Sequence, residues 1–63
     1  MAVTIVKKVL NDAGLLTVVL SDGTRTVQCE DMMLFDETEL ECTFIAWCDM
    51  ASDDPEETGC SFL

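Results

Sequence analysis

Apolar residues come in short, β-branched runs as far as Cys29 and at helical spacing after Leu40, and this change of period divides the chain. Val3–Leu10 (VTIVKKVL) and Leu15–Leu20 (LLTVVL) read as strands, and Asn11-Asp12-Ala13-Gly14 between them is turn chemistry with Gly14 placed for a left-handed conformation. Ser21-Asp22-Gly23-Thr24 holds an Asp-Gly pair, which favours a type I′ hairpin turn. A two-residue Asp22-Gly23 loop would pair Leu20 with Arg25, Val18 with Val27 and Leu16 with Cys29. That register puts Leu16, Val18, Leu20, Val27 and Cys29 on one face, and Thr17, Thr24, Thr26 and Gln28 on the other. With a three-residue first turn, Val6 and Leu10 join the apolar face.

That face needs a cover, and residues 36–51 supply one. Asp36 with Glu39 has the spacing of a capping box, Phe35 and Leu40 flank it at staple positions, and Asp36, Glu37 and Glu39 sit at the positive end of the helix dipole. Leu40, Phe44, Trp47, Cys48 and Ala51 form one apolar stripe, and Asp53, Asp54 and Pro55 stop the helix. A strand over 38–50 is the rival, because Leu40, Cys42, Phe44, Ala46, Cys48 and Met50 also alternate. Helix is preferred because cap signals have no role in a strand. The expected fold is α+β: a three-stranded antiparallel β-meander (3–29) covered by one amphipathic helix (36–51), then an acidic loop and C-terminal tail (52–63). The alternative is an all-β small barrel. Met32 to Phe35 links the halves, with some of its side chains under the helix and others exposed, and Gly59–Leu63 adds an edge strand or docks as a tail.

Sixty-three residues make one small domain, in a range where a single core gives only roughly 3–5 kcal/mol and outside help is common. An apolar content of 49% is that of a folded domain and not of a disordered acidic tail. The net charge of −10 is unevenly spread. Residues 1–29 carry Lys7, Lys8 and Arg25 against Asp12 and Asp22; residues 30–63 carry eleven acids and no base. Such a field repels nucleic acid and anionic membranes and attracts basic surfaces, more weakly as salt rises. The expected partner is therefore the basic surface of a nucleic-acid-handling protein, with no direct nucleic-acid contact, no membrane contact and room for a homo-oligomer.

No apolar run approaches the roughly 20 residues that cross a bilayer, and the N-terminus lacks signal-peptide order, so a cytoplasmic protein is expected. Cys29, Cys42, Cys48 and Cys60 contain no C-x-x-C pair, and there is no His. In a secreted chain they would allow two bridges in three connectivities; in the cytoplasm reduced thiols are the default. Neither a zinc site nor another cofactor is expected.

Catalysis is not expected, since the chain has no His, no Tyr, no phosphate loop and no nucleophile beside a base. Asp53, Asp54, Glu56 and Glu57 offer oxygens to a hard cation but lack the D-x-D-x-D-G spacing of a calcium loop. The candidate binding residues are Asp36, Glu37, Glu39, Glu41, Asp49, Asp53, Asp54, Glu56 and Glu57. Carboxylates spaced on a rigid support imitate the regular charge of a nucleic-acid backbone. In size, in its carboxylates from Glu30 to Glu57 and in its missing catalytic set, the chain resembles the small acidic inhibitors encoded by bacteriophages, which include DNA mimics and anti-CRISPR proteins. The likeness is one of class and implies an inhibitor that blocks a basic nucleic-acid groove. Two other functions fit: a small assembly module such as a virion component, oligomerising through its β edges and Met32–Phe35, or a nucleotide sponge in which Lys7, Lys8 and Arg25 converge from several chains.

Overall fold

The computed structural model describes residues 2–63. Four strands, β1 (Thr4–Leu10), β2 (Leu16–Ser21), β3 (Thr26–Met32) and β4 (Cys60–Phe62), form one antiparallel sheet in the order β1-β2-β3-β4. Between β3 and β4 come a 3-10 turn (Glu37–Glu39), helix α1 (Leu40–Asp53) and a short helix α2 (Pro55–Thr58). The fold is the expected α+β class with one more strand than expected. It is an open sheet with a helix on one face, so the barrel alternative fails: residues 38–50 bury one helical stripe and make no strand pairs.

That stripe is the one written in the sequence. Phe44, Trp47, Cys48 and Ala51 are buried and Leu40 packs at their edge, against Val18, Leu20, Val27, Cys29 and Cys60. Each large side chain removed from water in this way contributes roughly 1.5–3 kcal/mol. The Phe35 ring packs on Trp47, centroids 5.6 Å apart.

The capping box is not formed. Asp36 Oδ1 accepts from the Thr38 N–H at 2.8 Å and from the Thr38 hydroxyl at 2.6 Å, which closes a tight 3-10 turn. Glu39 then precedes α1 with no side-chain cap. A Thr two residues after the Asp offers two donors at once, its N–H and its hydroxyl, where Glu39 would offer only its backbone N–H. The far end stops as expected at Asp53, but residues 52–63 are not a loop and tail. Pro55 starts α2, Asp54 caps it, and Gly59, with φ of 72°, turns the chain into β4.

The second hairpin has a four-residue loop, Asp22–Arg25, in place of the two-residue turn. Asp22 Oδ1 accepts from the N–H groups of Thr24 and Arg25, both at 2.8 Å, and this Asx geometry outcompetes the type I′ turn. Leu20 therefore faces Val27 and Val18 faces Cys29. The register differs from the expected one by two residues, so every side chain keeps its face.

Two bulges reshape the sheet. Between Ile5 and Lys7, β1 advances two residues while β2 advances one, so Val6 is the extra residue. Val6 is thrown off the apolar face and is 61% exposed. The alternation shifts with it: Ile5 faces Leu20 before the bulge and Lys8 faces Val18 after it. Leu10 lies opposite Leu16 yet is 65% exposed, because α1 packs chiefly over β3 and β4 and leaves β1 uncovered. On β3, three residues from Cys29 to Met32 span two on β2, with Asp31 left-handed at φ of 58°.

Phe44 is fully buried at the centre of this packing. Phe44→Ala should cost about 3–5 kcal/mol, which is comparable with the whole stability of so small a domain. The variant should lose its near-ultraviolet dichroism at 25 °C, while Met33→Ala at an exposed position should unfold in urea within about 0.5 kcal/mol of the parent.

Candidate acidic binding surface

All nine candidate carboxylates are exposed, but they do not form one stripe. Asp36, Glu37, Glu39 and Glu41 cluster where the chain enters α1. Asp53, Asp54, Glu56 and Glu57 cluster where α1 gives way to α2, and Asp49 lies between. A 14-residue helix is about 21 Å long, which separates the two groups.

The entry group is shaped by local bonds. The Thr38 hydroxyl and backbone N–H, both donating to Asp36, hold its carboxyl below the usual carboxylate range. Glu37 turns toward the sheet, where its Oε2 meets Lys8 Nζ at 2.9 Å. Beyond the bulge Lys8 lies opposite Val18, on the helix side of β1, within reach of Glu37. Glu37 is thus paired within the chain. Glu39 and Glu41 remain open and line a shallow groove of about 480 Å³ with Val3, Leu40 and Cys42.

Along α1, Glu41, Ile45, Asp49 and Asp53 are four residues apart and all exposed, so they form one ridge with a rise of roughly 6 Å per step. Ile45, 52% exposed, is the apolar member of that ridge. Sequence reading missed it, although its i+4 relation to both Glu41 and Asp49 was visible. At the exit, Asp54 Oδ1 accepts from the Glu57 N–H at 3.3 Å, and Glu56 and Glu57 occupy the first turn of α2, where its dipole favours them. Asp53 sits in the last turn of α1, which contains no base, against the negative end of that helix.

Of the cations, Lys8 is paired and the Arg25 guanidinium lies over the Phe44 ring at 5.6 Å. Among the described residues Lys8–Glu37 is the ion pair formed, and no group of three His, Cys, Asp or Glu is arranged to hold a metal ion. No helix of the described residues is long and apolar enough to cross a membrane. The cysteines correct the expectation of reduced thiols. Cys29 and Cys60 face each other across β3 and β4 and form a disulfide, while Cys42 is an exposed thiol and Cys48 a buried one. Gly59–Leu63 was legible as an edge strand, but that it would set Cys60 opposite Cys29 was not. No protein-family model, curated protein or solved structure matches the chain.

Burial pushes the Cys48 thiol above its ordinary 9.0, an effect that nearby Arg25 partly offsets. The folded state then holds this proton more tightly than the unfolded state. Its contribution is fully present below about pH 9.0 and is lost as pH rises through the folded value. Urea midpoints of the parent should fall above that pH more steeply than those of Cys48→Ala, whatever the offset between the two proteins at neutral pH.

Proposed function

We propose that the chain is a non-enzymatic protein-binding inhibitor that occupies the basic nucleic-acid-binding surface of a host or defence protein, in the manner of DNA mimics and anti-CRISPR proteins. The observation that carries this reading is the uncompensated acidic surface: nine exposed carboxylates between Asp36 and Glu57, of which Glu37 alone meets a cation among the described residues. A net charge of −10 exceeds the magnitude of about 2–8 that keeps a small domain soluble. Asp53 also opposes the α1 dipole, a cost that solubility alone does not require. The Glu41, Asp49 and Asp53 ridge offers charge on a rigid support, in steps of about 12 and 6 Å, with Ile45 as an apolar contact in the longer step. Complementary fields of this kind steer association and weaken as salt screens them. The place of action on this reading is the host cytoplasm.

A second reading has its own observation. Val6, Val9 and Leu10 on β1, with Met33 and Leu34 after β3, leave aliphatic surface open for self-association. Against it stand a bulge and two lysines on the same edge strand, features that discourage edge-to-edge pairing.

Host lysate passed over the immobilised protein and eluted with a salt gradient should release a nucleic-acid-handling protein at moderate salt. With that partner, Glu41→Gln/Asp49→Asn/Asp53→Asn should weaken binding by about tenfold or more at low salt and flatten its salt dependence. Binding indifferent to salt removes the inhibitor reading. Sedimentation decides the second one: mass that rises with concentration supports assembly, and a monomer at high concentration eliminates it.

A further inference from the structure

Of the thirteen acidic residues, all but Asp12 and Asp22 lie between Cys29 and Cys60. The disulfide joining these two residues therefore closes a loop of sequence separation 31 around almost all the negative charge of the protein. Its two ends are register partners on β3 and β4. Besides this bond, β4 is held by its pairing with β3 and by the packing of α1 over it. It is three residues long and lies at a sheet edge, with Phe62 opposite Val27 and Ser61 opposite Gln28. Flanking backbone bonds run from the Glu30 N–H to the Gly59 carbonyl at 3.1 Å and from the Leu63 N–H to the Thr26 carbonyl at 2.9 Å. So short an edge element belongs to the low-stability end of a fold. Repulsion among eleven carboxylates without a base in their half of the chain works to expand that half.

We infer that Cys29–Cys60 is a redox latch, which when oxidised clamps β4 and the acidic segment to the sheet and when reduced frees β4. This inference stands on the fold alone and needs no partner. Reduction is thiol–disulfide exchange with a dithiol. One thiolate attacks a sulfur of the pair, breaking the S–S bond and forming a mixed disulfide. The second thiol of the reductant then displaces the protein sulfur, leaving as a cyclic disulfide. Two electrons enter the protein and two protons end on Cys29 Sγ and Cys60 Sγ. Both sulfurs belong to residues 2% exposed, so the attack follows fraying of the β4 edge. Since α1 packs chiefly on β3 and β4, release of β4 removes one of the two strands that position the acidic helix. The latch thereby sets how rigidly the carboxylates are presented, according to the thiol poise of the surroundings.

The test is amide hydrogen exchange on the full chain, oxidised and after dithiothreitol, at matched pH, with the bond state verified by intact mass. On reduction the Leu63 and Glu30 amides should exchange faster by about tenfold or more, while β1–β2 amides stay within about threefold. The gap should narrow in high salt, which screens the repulsion. Asp53→Asn/Glu56→Gln/Glu57→Gln should restore protection in the reduced protein and leave the oxidised protein unchanged. Equal acceleration of every amide makes the bond a global staple and overturns the latch. Unchanged exchange at Leu63 and Glu30, or the same response of both redox forms to charge removal, overturns it as well.

Discussion

Everything in this protein rests on seating one narrow apolar stripe of a heavily charged helix on a small sheet. Phe44, Trp47, Cys48 and Ala51 meet Val18, Leu20, Val27, Cys29 and Cys60, and the described chain contains no other core. The net stability of a domain this size is small, so repulsion among carboxylates is a substantial opposing term. Acids at helix starts ease it locally: Asp36 closes the 3-10 turn and Asp54 caps α2, each with its carboxylate on a backbone N–H. Asp53 receives no such relief.

The bulges explain how the two halves meet. The extra residue Val6 leaves the apolar face, Lys8 beyond it lies opposite Val18 and pairs with Glu37, and with β1 uncovered Val6, Val9 and Leu10 are exposed. The left-handed Asp31 lets β3 gain a residue just before the chain leaves for the helix. The covered half, β3 with β4, is where α1 lies and where the disulfide closes the acidic loop.

The acidic surface and the disulfide are linked by topology. Whatever binds the ridge of Glu41, Ile45, Asp49 and Asp53 binds an element whose only covalent return to the sheet, beyond the backbone itself, is Cys29–Cys60. Rigid presentation lowers the ordering cost of association. On the proposed reading, the charge that would attract a basic partner also works against the attachment of its own support.

The stripe from Leu40 to Ala51, the two hairpin turns and the split of charge were legible in the sequence because each depends on spacing within a few residues. The second hairpin kept its faces despite a different loop, since an error of two residues preserves a period of two. Other features depended on energies that no local pattern carries. Thr38 competed with Glu39 for Asp36, and a bulge moved Val6 off the apolar face. Gly59–Leu63 could add an edge strand or dock as a tail, and the pairing of Cys60–Phe62 with β3 decided for the strand. Exposed acids were identified as a set, but their division into two clusters, the pairing of Glu37 and the place of Ile45 among them followed from how α1 lies on the sheet. Sequence determined which residues must be buried and which carry charge; tertiary structure decided which charges stay free, because that depends on what each long-range neighbour supplies.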